Sequence, residues 1–502
     1  MNQLRTFNMS TTRHQQSNQS KAFGMIKGLT LAIVAICNTA HADSPSMTYQ
    51  FQYDYAHKVT KIINGTGAAT TYRYDALGRL EIQTEPVAIT TGNYAMPLIS
   101  YGYDGQNHVT KIANLGVRET LYTVDGLGNQ LAINSAETGS TTFTVDAAGN
   151  VLRKQDAKGQ LTTYSYDAIN RLSRIVYSDN TSTEYSYDQG VNAKGRLTQI
   201  SDASGTIQYN YDSRGRILSE TRSMPTNAAA GPSTTSYTYD SAGRLKTLTY
   251  PNGRVVTYTR DSIGRITQID SSKDGMLATV ASQITYRPFD SVQSYRNSAG
   301  QTSTRGFDLD GRISSYTLNN QVQEITYDAA NRITAINEIN SAVRQATYGY
   351  DLQDRLTSYV TPQNSQSFSF DAFGNRKTKS TGTANTTYNY GNNNDRLAQV
   401  IDSQSNTIGT DPNGSITSNG NNQFNYDARG RMISVNTSAG VVQYLINALG
   451  QRIQKIRPAT STSAATTTMY FYDKNGKLIS ERTGQSDIDY IYLEGVPVVV
   501  AK

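Results

Sequence analysis

The sequence predicts an all-β fold, one continuous antiparallel array of β-hairpins, and three observations carry that prediction. The first is the stretch Tyr72-Arg73-Tyr74-Asp75-Ala76-Leu77-Gly78-Arg79-Leu80. Tyr72 and Tyr74 lie two apart, so they share one face of a strand. Asp75 opens a turn, Gly78 closes it, and Arg79 and Leu80 start the next strand. Asp at the first place and Gly at the fourth suit a type I turn closed by a left-handed residue. The second observation is recurrence. Asp104, Asp125, Asp146, Asp167 and Asp188 are each 21 residues apart, and Asp54 to Asp75 and Asp240 to Asp261 show the same interval. The third is the residue three places after the turn aspartate. It is Gly78, Gly128, Gly149, Gly215, Gly243, Gly264, Gly311, Gly374, Gly430 or Gly476, and otherwise Asn107, Asn170, Asn331, Asp354 or His57. Those non-glycine residues are the ones best tolerated at positive φ.

In chain order, residues 1–42 read as a secretory signal peptide. Lys21 and Lys27 form its basic region, Leu29 to Cys37 its apolar core, and Ala40-His41-Ala42 an A-x-A site, with cleavage expected between Ala42 and Asp43. The nine-residue apolar core from Leu29 to Cys37 falls short of the roughly 20 residues needed to span a bilayer. A lipoprotein anchor at Cys37 is disfavoured by the bulky Ile36. The polar stretch before Lys21 leaves Met9 and Met25 open as alternative starts.

From Asp43 to Lys502 no second class of sequence appears, and no helical apolar stripe of useful length interrupts the array. About twenty hairpin units are expected. The place after the left-handed residue is usually basic, as at Arg79, Arg171, Arg216, Arg244, Arg265, Arg312, Arg332, Arg355 and Arg431. An aliphatic usually follows, as at Leu80, Leu172, Ile217 and Leu245. The repeat-defining residues are therefore Tyr72, Tyr74, Asp75, Gly78 and Arg79, with Asp167 and Arg171, with Asp240, Gly243 and Arg244, and with Asp427, Gly430 and Arg431. Stacked hairpins would align them into ladders, Tyr on Tyr and Asp beside the Arg of a neighbouring turn. Met224–Ser236, Gly382–Asn394 and Pro458–Thr467, rich in Ser, Thr, Asn, Ala and Pro, read as surface loops between hairpins. Val498-Val499-Val500 is an apolar, β-prone run. If it forms an unpaired sheet edge, the chain is expected to self-associate.

Composition narrows the function. The chain has 502 residues with 35 Tyr, 39 Gly, one Cys and four His. Cys37, His14 and His41 precede the expected cleavage point. The processed chain would then hold no cysteine, which excludes a disulfide framework, a thiolate metal site and a cysteine nucleophile. The formal charge of +6 includes four basic residues and no acid before Asp43, so the remainder is 42 basic against 40 acidic residues. Interspersed signs give no concentrated basic patch, so no nucleic-acid partner is expected. His57 sits at the left-handed place and His108 at the basic place, both as turn substitutions, so a Ser-His-Asp triad and a zinc site lack ligands. The many aspartates share a turn-forming role, and no pair stands out as a glycosidase dyad. No phosphate-binding or dinucleotide fingerprint occurs, and no cofactor is expected. The tyrosines read as cross-strand packing, with carbohydrate contact as the alternative.

The pattern Y-x-Y-D-x-x-G-R-[LI] at this spacing resembles the YD repeat of the Rhs proteins, also found in Tc toxin shell components and teneurins. The resemblance covers essentially all of Asp43–Lys502. Residues 401–502 are especially similar to the C-terminal part of the bacterial Rhs core: Tyr426-Asp427-Ala428-Arg429-Gly430-Arg431, Gly450-Gln451-Arg452, Tyr470-Phe471-Tyr472-Asp473 and Asp489 to Val498. The resemblance implies a strip coiled into a hollow shell, which encloses a C-terminal toxin that an aspartate-based self-cleavage frees. It also implies further core, a cleavage segment and toxin beyond Lys502. Asp411-Pro412-Asn413-Gly414 superficially resembles the cleavage motif, but it lies inside the array at an ordinary turn position. The expectation is thus a secreted, non-enzymatic shell polypeptide, whole or truncated, located outside the cell, on its surface or in the periplasm. Its expected partners are a toxin cargo or a second polypeptide that completes the shell. A surface carbohydrate-binding or adhesive protein is the alternative, and a hydrolase is third.

Overall fold

The computed structural model describes residues 44–86, 98–225, 231–288, 291–339, 341 and 343–501. The expected cleavage point at Ala42 and Asp43 lies outside them. Among the described residues the chain forms forty-three strands and no helix, from Tyr49–Tyr53 to Val496–Ala501. Within each of two sheets, every strand pairs antiparallel with its neighbours in sequence. The first 33 strands form one sheet ending at Ser405–Thr407, and a ten-stranded sheet runs from Gly409–Thr410 to the C-terminus.

The turn that follows each Tyr-x-Tyr repeats one hydrogen-bond pattern. Gly78 N donates to Asp75 O at 2.9 Å, and Asp75 N donates to Arg79 O at 2.9 Å. The register slips by one residue between Arg73 and Tyr74, so Tyr74 faces Leu80. This is a three-residue loop closed by a bulge whose extra residue must have positive φ. Gly78 has φ 78°, Asn107 73°, Asn170 63°, Asn331 67°, Asp354 62° and His57 61°. The same slip precedes Tyr103, Tyr166, Tyr239 and Tyr426.

Two of the expected loops are partly strand. Ala384–Tyr390 is a strand paired with Arg376–Thr381 through a tight turn, and Ser233–Tyr239 begins inside the expected loop Met224–Ser236. Both are rich in Thr, Ser and Asn, which read as loop by composition although Thr is β-branched and suits a pleated surface. The connection after Arg457 is a loop up to Thr466.

The strip has two edges. One carries the Asp turns, and the other carries the return turns between units. Hydrogen bonds join positions far apart in sequence. Arg312 Nη2 donates to Pro45 O at 3.0 Å, Arg396 Nε to Glu137 O at 2.8 Å, Asn413 Nδ2 to Asp156 Oδ2 at 2.7 Å, and Arg429 Nη1 to Asp202 Oδ2 at 2.6 Å. Both members of these pairs rise together along the chain, so the strip runs alongside its own earlier course. Strand twist of one hand, accumulated over many strands, gives such a coil. The return-turn edge of the first pass therefore meets the Asp-turn edge of the second. A Cβ on Gly65 would lie 2.1 Å from Ala329 O, so glycine there permits the close approach.

Toward the C-terminus contact changes from edge-on to face-on. Tyr237, Leu248, Tyr250, Val256, Ile269, Val280, Ile284 and Val292 form one buried cluster with Met469, Phe471, Ile479, Ile491 and Leu493. Val498 and Val499 pack against it, whereas Val500 is exposed. The strand Val496–Ala501 pairs with Ser486–Leu493.

Candidate functional site

The repeat-defining side chains assemble into a staple that recurs along the strip. Asp75 Oδ1 accepts the backbone N–H groups of Leu77 and Arg79, each at 2.9 Å, and Asp75 Oδ2 accepts Arg79 Nε at 2.7 Å. Asp167 with Arg171, Asp240 with Arg244 and Asp427 with Arg431 repeat the ion pair at 2.6, 2.7 and 2.9 Å. The expected pairing of Asp with the Arg of a neighbouring turn occurs at Asp188, which accepts from Arg171 at 2.7 Å, but the recurrent partner is the Arg of the same turn. The bulge brings Nε back onto the carboxylate of its own turn, and the rest of the guanidinium reaches the next unit. Arg79 Nη1 donates to Asp104 O and Asn107 Oδ1. Its guanidinium also lies 4.6 Å from the centre of the Tyr103 ring, a cation–π contact. Arg171 likewise covers Tyr187 at 4.3 Å, and its Nη2 donates to Asp188.

The second tyrosine of each pair points backward. Tyr74 Oη donates to Val59 O, Tyr103 to Leu80 O, Tyr187 to Leu172 O, Tyr239 to Ile217 O and Tyr492 to Leu478 O, at 2.6–2.8 Å. The acceptor is the carbonyl at the start of an earlier hairpin's second strand, so each unit is tied to the one before. Tyr-on-Tyr ladders give way to Arg-on-Tyr contacts, although Tyr348 and Tyr359 do meet at 5.5 Å. Tyr72 faces Gln83 across the hairpin, and burial raises the pKa of its hydroxyl. The backbone N–H of the following Arg, aided by its side chain, holds Asp75, Asp167 and Asp240 below the usual carboxylate range. For Asp427 partial burial opposes this, but the hydrogen bonds from Arg431 prevail and the shift is still downward. Gly243 and Gly430 close their turns at φ 87° and 75°. Where the basic residue is absent, Asn129 Nδ2 or His108 Nδ1 contacts the same carboxylate oxygen at 2.9 Å.

The seam between passes holds polar groups that sequence reasoning did not single out. Asp489 is fully buried in the strand Ser486–Leu493 and pairs with Arg254 Nε at 2.6 Å. Asn252 Nδ2 donates to both Asp489 oxygens and to Asp487 Oδ2, and Arg254 Nη1 donates to Ser271 Oγ at 3.0 Å. Nearby, Tyr250 Oη donates to Tyr490 O at 2.7 Å. Glu220 and Arg222 form a second buried pair, in which burial raises the pKa of the Glu220 carboxyl. One signal was available. An aspartate flanked by Ile488, Tyr490 and Ile491 in a strand is out of place unless a buried partner meets it.

Asp411-Pro412-Asn413-Gly414 is a turn of the repeating kind, in which Gly414 N donates to Asp411 O at 2.9 Å, and it forms part of the seam. A cleft of about 520 Å³ opens beside it, lined by Lys154, Asp156, Tyr164, Tyr177, Arg429 and Leu449. Asp156 and Arg429 are already engaged with Asn413 and Asp202. Among the described residues no group of three or more His, Cys, Asp and Glu is placed to hold a metal ion.

This geometry agrees with comparison to known families. The sequence matches the family described as teneurin YD-shell over residues 116–271 and 271–495, and the RHS repeat over residues 48–94. The chain belongs to the teneurin YD-shell family. Among solved structures, the YD-shell chain is similar to the Tc holotoxin pore of Photorhabdus luminescens, with TM-score 0.74 and 14% identity over 89% of this chain. It is also similar to the TcdB2-TccC3 complex, with TM-score 0.75 and 15% identity over the same share. At such identity the likeness establishes the fold, a shell-like strip of antiparallel hairpins. The YD-shell chain spans 27% and 28% of the lengths of those two chains. No curated protein matches it.

Proposed function

We propose that this YD-shell chain is a secreted, non-enzymatic shell polypeptide that encloses or presents a toxin cargo. The observation that carries the reading is the seam: one strip coils until its second pass seals edge-on against its first, which is how a wall is built from a ribbon. The repeat residues support a structural role. The aspartates cap turns, the arginines bridge units, and the hydroxyl of the second tyrosine in each pair is spent on a backbone carbonyl. That commitment of the tyrosines also counts against the carbohydrate-binding alternative. Likeness to assemblies described as Tc holotoxin pore and TcdB2-TccC3 supports a toxin-related role, and the leader ending at Ala42 supports export.

Co-expression with polypeptides encoded beside this reading frame, followed by limited proteolysis, tests the proposal. A cargo should co-purify, resist protease while the shell is folded, and become sensitive when the shell is denatured. Neighbouring polypeptides that are cleaved equally with and without the shell would overturn the enclosing role. An exported chain beginning at Asp43 by N-terminal sequencing is the expected result for processing.

A further inference from the structure

The same edge of the strip has two fates. In the second pass several of the Asp-turn tips are covered, although Leu309 and Leu449 stay exposed. Ala330 is buried, Phe373 lies under the Arg118 guanidinium at 4.6 Å, and Asn413 bonds to Asp156. In the first pass the equivalent tips face solvent with large apolar side chains: Leu77 is 72% exposed, Leu127 82%, Ile169 68% and Ile263 71%. Turn tips are ordinarily polar, and four exposed aliphatics at this one place, between units that carry Gln106, Ala148, Arg214 and Ala242 there, mark an interaction edge.

Two turns of identical pattern make the contrast residue by residue. Asp-x-Arg-Gly-Arg occurs at Asp212–Arg216 and again at Asp427–Arg431. In the second, Arg429 crosses the seam to Asp202 at 2.6 Å and lies 5.0 Å from the Tyr177 ring. In the first, Arg214 is exposed and donates to Ser241 O in the next turn of its own edge at 3.1 Å. The complementary surface lies on the same chain. The return-turn edge of the first pass, which includes Ala68, Ser135 and Ser204, is buried against the second pass. On the second pass, Leu318, Val360 and Val441 beside the return turns are exposed, as is Asp402.

We propose that the free Asp-turn edge of the first pass docks the return-turn edge of the second pass of another copy of this chain, stacking copies head to tail. The interface would continue the seam already formed within one chain, with tips such as Leu127 and Ile169 in the places that Phe373 and Ala330 occupy. Because the two edges differ, the contact is heterologous and leaves a free edge at each end of a stack. This rests on the seam alone, so its failure would leave the enclosing role untouched.

Sedimentation velocity over a concentration series tests it. The purified chain should form a ladder of species. The tip variant Leu77→Asp/Leu127→Asp/Ile169→Asp and the return-edge variant Leu318→Asp/Val360→Asp should each be monomeric, with the circular dichroism melt of the parent. Mixed together, they should form a one-to-one dimer and nothing larger, because each retains one intact edge. A parent chain that stays monomeric at the highest concentration would overturn the proposal and leave the edge to a different polypeptide. Association unchanged in both variants but lost in Val500→Glu would also overturn it, in favour of pairing at the edge strand Val496–Ala501.

Discussion

Residues 44–183 and the double layer formed by residues 193–292 with 453–493 are built from the same hairpin, yet they are held together differently. Among the described residues of the first region, Ala68, Ala113, Ser135 and Thr183 are the buried ones. Units there are joined by staples: Asp to its own turn, Arg to the next turn, Tyr hydroxyl to the previous carbonyl. In the second region the staples persist, but the ten-stranded sheet also covers the face of the first sheet and creates the cluster around Ile269 and Ile491. A repeat can therefore propagate with little core, one neighbour at a time. A core appears only where the strip meets itself face to face.

The largest expected effect is at the buried pair. Arg254→Ala leaves Asp489 uncompensated inside the layer, which should cost about 3–5 kcal/mol. Hydrogen exchange should show protection lost across 466–501 while strands between 98 and 176 stay protected. Uniform loss along the chain would mean that the two regions are one cooperative unit. Ile491→Ala should cost about 2–5 kcal/mol by opening a cavity. Leu121→Ala, at a half-exposed place in the first region, should stay within about 0.5 kcal/mol in the same urea titration. Tyr187→Phe removes one staple bond to Leu172 O and should cost about 0.5–1.5 kcal/mol, confined to the adjacent units. A larger, global effect would show that staples act cooperatively.

Opposite extremes of pH should attack the two regions. In the first region, where little core backs them up, the turn aspartates Asp75 and Asp167 have folded pKa values below the unfolded value of about 3.9. Their contribution is full above that value and is lost as pH falls through the folded values, so acid should loosen the turn ladder first. Burial, with Asp473 nearby, pushes the Tyr258 hydroxyl up to about 12. Its contribution is full below the unfolded value of about 10 and is lost as pH rises toward 12. Alkali should therefore open the double layer first. Hydrogen exchange at both extremes checks the order, and the same region opening first at each would refute it.

The hairpin and its turn were legible because their code is short. Gly78, Asn107 and His57 announce a left-handed place within four residues of an aspartate, and the backbone there has positive φ. The strand Ala384–Tyr390 was missed because Thr and Asn on a two-sided polar strand look like loop. The recurrent own-turn pair, as in Asp75 with Arg79, was not foreseen because the bulge, not the sequence offset, decides where Arg Nε lands, whereas the expected pair across turns forms at Arg171 and Asp188. Arg429 was visible as part of a repeat, but its partner Asp202 lies 227 residues away, and no local pattern points across that distance.

By itself, then, the sequence determined the unit, its turn and the pairing of each strand with the next. Every bond that defines them closes within about two dozen residues. Tertiary structure alone decided how far the strip curves, where its edges meet and which aspartates are buried. Curvature is the sum of small twists over many strands, so no single residue encodes it. The pairing of Asp489 with Arg254 exists only because that sum brings the second pass onto the first.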